Sequence, residues 1–383
     1  MKKVLLGTTA LLGVGAVAGT AQASDGIKLD VGGFFQTVFQ GVFDGKSGNQ
    51  QFGGHRNYDR LLHNAEVHFK GSTTLDNGLT VGAQIELEGE NSGDQIDKAF
   101  VYWSGGFGKV TIGSQDGPIA ACPVFPPGAT ANFSGFSPAS WGSNDPVGSN
   151  SVCSDVLGGH TKSNSQMLKY TTPNFAGFQL VVAYTPSNHA EDYTDPGVNG
   201  SGTPVNSNGV AHQSFATYLT YSYAGDGWGV DWGGGGSWNG TFNEAHRTGG
   251  PSADYQTALN FTFGAFAVGG IFEFYDNGGE DNDAWVAGGG ASYTVDAWTV
   301  GIQGSYGHYN ASTSGTGGGN SSGHDTLSHI ILTGSYAMGP GVDLDAELGY
   351  TWFHDTGEGA KGPSPTLEHY QAFDVAIGSK LTF

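Results

Sequence analysis

Residues 27–43 read IKLDVGGFFQTVFQGVF, in which Ile27, Leu29, Val31, Phe35, Phe39 and Phe43 hold odd positions while Lys28, Asp30, Gln36 and Gln40 hold even ones. On a strand, whose side chains alternate between two faces, this separates an apolar face from a polar one. On a helix the two sets would be mixed around the axis. The division recurs downstream: Ala65, Val67 and Phe69 oppose Asn64, Glu66, His68 and Lys70, and in 79–90 Leu79, Val81, Ala83, Ile85 and Leu87 oppose Thr80, Gln84, Glu86 and Glu88. Further strands are expected near 96–104, 108–115, 166–172, 177–185, 212–223, 227–238, 254–263, 265–275, 284–295, 297–309, 326–338, 341–353 and 369–383.

That makes about 16 strands, an even number. Tight turns such as Asp76-Asn77-Gly78, Gly105-Gly106, Gly225-Asp226-Gly227 and Gly339-Pro340-Gly341 alternate with longer polar loops. Short turns on one side and long loops on the other are the asymmetry of outer-membrane barrels, which bury every backbone polar group by closing on themselves. The expected fold class is therefore all-β: a transmembrane antiparallel β-barrel whose polar face lines a water-filled pore.

Residues 1–23 read as an export signal and 24–383 as a single barrel domain. Lys2 and Lys3 precede an apolar run from Val4 to Ala18, and Ala21-Gln22-Ala23 offers a small-residue cleavage site. No later stretch approaches the roughly 20 apolar residues of a spanning helix. The chain has 14 basic and 35 acidic residues. Without Lys2 and Lys3, 12 basic residues stand against 35 acidic, a formal charge of −23. Nucleic acid is not a partner for such a surface. With 23 Phe, 16 Tyr and 8 Trp the chain is too aromatic to be disordered, so its 67 glycines belong in strands and turns.

One connection stands apart. Residues 116–165 show no strand period, are rich in Pro, Gly, Ser and Asn, and hold both cysteines, Cys122 and Cys153. In an exported protein an even cysteine count within one loop reads as a disulfide, whose closure contributes about 3 kcal/mol on the chain-entropy estimate. A metal or redox pair would need closer spacing and nearby ligands.

The chain resembles the trimeric, sixteen-stranded general porins of Gram-negative outer membranes. The resemblance rests on the leader, on Gly113-Ser114-Gln115-Asp116-Gly117-Pro118 at the exit into the long loop, on Leu168-Lys169-Tyr170-Thr171-Thr172-Pro173-Asn174-Phe175-Ala176-Gly177-Phe178, and on the terminal Phe383. It implies that the third external loop folds into the lumen and narrows it, that acidic loop residues face a basic cluster on the opposing wall, and that Phe383 is the signal read during assembly. It further implies a homotrimer in contact with outer-membrane lipid and lipopolysaccharide, passing ions and small hydrophilic solutes without cofactor or catalysis. The corresponding positions are Asp116, Asp145 and Asp155 on the loop, with Glu66, His68, Lys70, Glu86, Glu88 and Lys98 on the wall. The family's arginine-rich wall is not reproduced, since the chain has only Arg56, Arg60 and Arg247.

Carboxylates on the expected lumen face (Asp30, Glu66, Glu86, Glu88, Asp231, Glu273, Asp343, Asp345, Glu347 and Asp374) outnumber Lys28, Lys70, Lys98, Lys109, Lys169 and Lys380. The expected function is a general-diffusion pore that prefers cations. A substrate-selective channel and a barrel with a blocked lumen are the alternatives. Glu280-Asp281-Asn282-Asp283 offers oxygen ligands to a divalent cation such as calcium but lacks the spacing of a dedicated calcium loop, so a solvated loop tip is preferred. Gly233–Gly236 and Gly288–Gly290 sit in no strand-to-helix unit and read as places for close packing of the wall. The 12 histidines scatter, with His63 and His68 on opposite faces of one strand, and no metal site is expected. No serine lies in a nucleophile motif, and no enzyme is expected.

Overall fold

A computed structural model describes residues 26–44, 59–89, 95–119, 122–128, 165–186, 213–240, 252–276, 283–309, 325–355 and 369–383. Within them sixteen strands run β1 (Lys28–Asp44), β2 (Asp59–Thr74), β3 (Thr80–Glu88), β4 (Ile96–Gly105), β5 (Gly108–Gln115), β6 (Ser165–Thr171), β7 (Phe178–Thr185), β8 (Gln213–Ala224), β9 (Trp228–Gly240), β10 (Ser252–Phe263), β11 (Phe266–Asp276), β12 (Ala284–Val295), β13 (Trp298–Tyr309), β14 (Asp325–Gly339), β15 (Val342–Asp355) and β16 (His369–Thr382). Each pairs antiparallel with its sequence neighbours, and β1 closes on β16. The leader expected over 1–23 lies outside the described residues.

Closure runs through the chain end. Phe35 pairs Leu381 and Phe39 pairs Ile377, while the N–H of Gly33 donates to the Phe383 carbonyl (2.9 Å) and the Phe383 N–H to that of Gly33 (3.1 Å). Gly33 has φ 156°, and a Cβ there would run into the Glu66 carbonyl, so this crowded corner of the seam admits no side chain.

The two faces are sorted in the sense opposite to a water-soluble fold. Phe39 is 47% exposed and Ile377 is 50% exposed, whereas Gln40 and Asp374, on the other face of the same two strands, are fully buried. The same inversion holds around the ring: Ile85, Val101, Phe272, Ile330, Leu332 and Leu348 face outward, while Glu86, Gln256, Glu273, Thr333 and Glu347 face inward. An apolar exterior around a polar interior is stable only where hydrocarbon replaces water outside.

Rings mark where that hydrocarbon ends. At the tight-turn rim Phe178 packs on Tyr221, Phe266 on Tyr293 and Trp298 on Tyr336, each pair with centroids 4.5 Å apart, and Tyr223 meets Trp228 at 4.8 Å. At the long-loop rim Trp238 lies between Phe215 and Tyr255, Trp285 between Phe272 and Tyr306, and Tyr350 beside Trp352. Trp285 and Tyr293 stand eight positions apart on β12, about 27 Å along a strand. At a tilt of about 40° this gives roughly 20 Å of height, comparable with the ~25 Å apolar band between aromatic girdles.

The turns show why the strands stop where they do. Gly78, Gly227, Gly264 and Gly341 take positive φ, from 58° to 80°, at the tips of short connections. In the longer β6–β7 turn the Asn174 side chain accepts from the Gly177 N–H at 3.0 Å.

Candidate functional site: the inward wall

The registers of β2, β3 and β4 bring the expected wall residues into one row. Glu66 pairs Glu88, His68 pairs Glu86, Lys70 pairs Gln84, and Glu86 in turn pairs Lys98. His68 Nε2 lies 2.8 Å from Glu66 Oε2 and 4.0 Å from Glu86 Oε2. Lys98 Nζ reaches Glu86 Oε2 at 3.2 Å, Asp97 Oδ2 at 2.8 Å and Asp116 Oδ2 at 3.4 Å. The Gln84 side-chain amide donates to Glu86 Oε1, which leaves Oε2 of that carboxylate turned toward His68 and Lys98. Lys70, exposed one pair further along, takes part in none of these ion pairs.

Asp97 also joins this wall, although regular alternation would turn it away from Lys98. The β3–β4 register shifts between Glu86 and Leu87, so that Ile96 pairs Leu87 and Lys98 pairs Glu86, and Asp97 is the extra residue of a bulge. No sequence signal announces that bulge.

The adjoining strands continue the wall with cations. Lys169 on β6 donates to the backbone carbonyl of Asp116 at 3.0 Å, tying the start of the long connection to the wall. Lys109 on β5 lies 4.3 Å from the centroid of Tyr102 and 5.9 Å from that of Phe100, so a face of aromatic carbon holds this ammonium instead of a carboxylate.

Across the barrel the construction differs. Residues 122–128 of the connection lie against side chains that point inward from β10 to β14. Val124 packs among Ala258, Ile271, Tyr275, Ala284, Val286 and Leu327, with Cys122 and Phe125 partly buried beside them. Asn260 donates to the Phe125 carbonyl at 2.7 Å and Gln303 to that of Pro126 at 2.8 Å. A Cβ on Gly290 would fall far inside van der Waals contact with the Pro127 carbonyl oxygen. The close packing expected of Gly288–Gly290 is thus met at Gly290, and its partner is this segment. In the other glycine cluster, Gly233 and Gly235 leave room for the ring of the fully buried Tyr218.

Acids dominate this far side and its continuation. Glu273 accepts from Gln256 at 2.7 Å, Asp254 is buried nearby, and Asp345, Glu347 and Asp374 follow on β15 and β16. Gly349 pairs Asp374, and any side chain there would collide with that carboxylate. Lys380 lies over the Phe34 ring, 4.7 Å from its centroid. Lys98, Lys109 and Lys169 therefore gather on β4 to β6, interleaved with Glu66, Glu86, Asp97 and Asp116, while acids predominate on β10 to β16, where Lys380 is a cation.

Several expected residues lie outside the described part: Asp145, Asp155, Cys153, and Glu280, Asp281 and Asn282 of the acidic tip. Cys122 is not a free thiol. His63, expected on the opposite face from His68, stacks on the outward-facing Phe35 with centroids 6.1 Å apart.

Known proteins share this architecture. The chain is 29% identical over 159 residues to the major outer membrane protein P.IB of Neisseria gonorrhoeae, a match that spans 40% of this chain and 40% of that protein's length. Among solved structures, the trimer form of OmpT from Vibrio cholerae superposes with a TM-score of 0.60 at 14% identity, covering 94% of this chain and 100% of that one. An anion-selective porin from Comamonas acidovorans gives 0.57 at 15%, covering 93% and 100%. These likenesses show a shared fold. Residues 7–356 also match the family model described as Gram-negative porin, so a sixteen-stranded barrel that faces lipid with its apolar side and water with its charged side has its place: the chain belongs to the Gram-negative porin family of outer-membrane β-barrels.

Proposed function

We propose that this protein is a general-diffusion pore that passes ions and small hydrophilic solutes down their gradients and prefers cations. The observation that carries the reading is the inward face itself, where Glu66, Glu86, Asp97, Asp116, Asp254 and Glu273 exceed Lys98, Lys109, Lys169 and Lys380. Fixed negative charge around a narrow aqueous path concentrates counter-cations and repels anions. One fold neighbour carries the name anion-selective, so sharing this barrel does not by itself imply a preference for cations, and the reading rests on the lining. The contacts of residues 122–128 with β10 to β14 support a long connection that crosses the lumen as a constriction, closed on itself by Cys122 paired with Cys153. A homotrimer set in outer-membrane lipid and lipopolysaccharide is the assembly that suits the family and the exposed apolar girdle.

The test is the reversal potential across a planar bilayer under a salt gradient. Cation preference should shrink as salt rises, because screening over ~10 Å at 0.1 M shortens further in concentrated salt. Replacing Glu66, Glu86 and Glu88 together by Gln should weaken the preference more than replacing Glu280, Asp281 and Asp283 of the outer loop. A purified protein that carries no current would overturn the pore. Saturating flux of one solute with exclusion of others of like size would establish the selective channel, a reading favoured by one feature, the ammonium of Lys109 held against Tyr102 and Phe100.

A further inference from the structure

We propose that Glu66, His68 and Glu86 form a binding site for a divalent transition-metal ion such as Zn²⁺, placed so that occupancy reduces current through the pore. Its effect on current rests on the pore reading above; binding itself does not. Sequence spacing alone gives only Glu66 and His68 at i and i+2. The third ligand comes from the neighbouring strand, because the β2–β3 register sets His68 opposite Glu86. One ligand atom from each of the three lies within 4.8 Å of the other two.

The distances suit a single ion. Two ligands at about 2.1 Å from a tetrahedral zinc are roughly 3.4 Å apart. His68 Nε2 stands 2.8 Å from Glu66 Oε2 and 4.0 Å from Glu86 Oε2, which brackets that separation, so each pair changes by about 0.6 Å, and the two carboxylate oxygens, within 4.8 Å of each other, close by side-chain rotation to bring the three atoms onto one centre. The donor set of one imidazole and two carboxylates favours zinc, copper or nickel over magnesium or calcium, which take oxygen ligands. Water in the lumen would fill the fourth position.

The surroundings are those of an oriented ligand set. Gln84 bonds Glu86 Oε1 and so aims Oε2 at the shared centre, the part that outer hydrogen bonds play around metal sites. Lys98 is the competitor, since its ammonium sits 3.2 Å from Glu86 Oε2. It retains Asp97 at 2.8 Å and Asp116 at 3.4 Å when a metal takes that oxygen, so displacement does not strand a buried charge. Metal entry thus exchanges one member of an ion-pair network and leaves the rest in place.

Two measurements on the purified, folded protein decide the matter: calorimetric titration with Zn²⁺ in excess Mg²⁺, and bilayer current during Zn²⁺ addition followed by chelation. One Zn²⁺ per chain should bind, with current reduced and then restored by the chelator. Gln84→Ala should weaken binding about tenfold and His68→Asn by more, given that outer-shell losses alone cost about 10–100-fold. His63→Asn, on the lipid face, should bind as the parent does. Should His68→Asn fail to fold, Glu86→Gln reports in its place. Zinc binding that survives both lumen variants, or that His63→Asn abolishes, overturns the site while leaving the pore intact. Binding with the expected mutational pattern in a protein that carries no current upholds the site and overturns the pore.

Discussion

The wall from β2 to β6 and the wall from β9 to β13 are strands of one barrel with one alternation, yet they use the inward face in different ways. The first fills it with long charged side chains that satisfy one another: Glu66 with His68, then Lys98 with Glu86, Asp97 and Asp116. The second keeps Asp254 and Glu273 but opens a space beside them. Glycine at 290 leaves space for a neighbouring backbone, and Asn260 and Gln303 spend their amides on the carbonyls of Phe125 and Pro126. A charged wall can act on ions in transit; an opened wall can hold a segment that narrows their path. The difference teaches that an inward glycine in this barrel makes room for what faces it: the Pro127 carbonyl at Gly290, the Tyr218 ring at Gly233 and Gly235, and the Asp374 carboxylate at Gly349.

The largest expected effect removes both walls at once, because each needs a closed ring. Deleting Phe383 removes two backbone hydrogen bonds to Gly33, each worth about 0.5–1.5 kcal/mol, at the seam between β1 and β16. The yield of folded, heat-modifiable protein should fall sharply, measured by electrophoretic mobility before and after heating, while the pores that do form keep near-normal conductance. Normal yield would show that the seam holds without its last residue.

Next comes a change to the opened wall alone. Gly290→Val puts a branched side chain where the Pro127 carbonyl sits, and a clash with backbone is not relieved by choosing another rotamer. Overpacking of this kind costs about 1–3 kcal/mol. Residues 122–128 should lose their seat, with noisier current and passage of larger neutral sugars, while cation preference changes little. An unchanged sugar cut-off would mean that this segment does not set the pore size.

Much of this was legible in the sequence, and the reason is local. Alternation is a property of neighbouring residues, so Phe35, Phe39 and Phe43 declared their strand and their face without reference to the rest of the fold. The same holds for the turns, where Gly78, Gly227 and Gly341 adopt the positive φ that their sequences suggest. What was not legible depends on register between strands. Trp298 meets Tyr336, and Trp285 meets Tyr306, only once β12, β13 and β14 are aligned, so the aromatic girdles are invisible in a linear reading. Asp97 joins Lys98 through a bulge, and Glu86 joins His68 through a ladder. The seat of Val124 among residues from β10 to β14 joins positions far apart in a chain segment that has no period to read.

A smaller effect tests the charged wall by removing its central cation. Lys98→Met keeps the length of the side chain but leaves Glu86, Asp97 and Asp116 without their shared partner. The lining then carries one positive charge fewer, so cation preference, read as a reversal potential in dilute salt, should increase and the increase should fade in concentrated salt. An unchanged reversal potential would place Lys98 outside the ion path.

The smallest effect, and the sharpest use of the comparison, is the coupling between the two walls. The long connection touches both: Asp116 meets Lys98 and Lys169 on one side, and residues 122–128 meet Gln303 and Asn260 on the other. Gln303→Ala removes one hydrogen bond to the Pro126 carbonyl, about 0.5–1.5 kcal/mol. Lys169→Met removes the donor to the Asp116 carbonyl. If the connection is held as one unit, loosening either end weakens the hold at the other, and the double variant departs from the sum of the singles by about 0.5 kcal/mol or more in the free energy of the noisy state, taken from its occupancy in single-channel records. Sites this far apart with no shared partner add to within about 0.3–0.5 kcal/mol. Strict additivity would therefore mean that the two walls grip separate pieces of chain, and that the width of the pore and the charge along it are set independently.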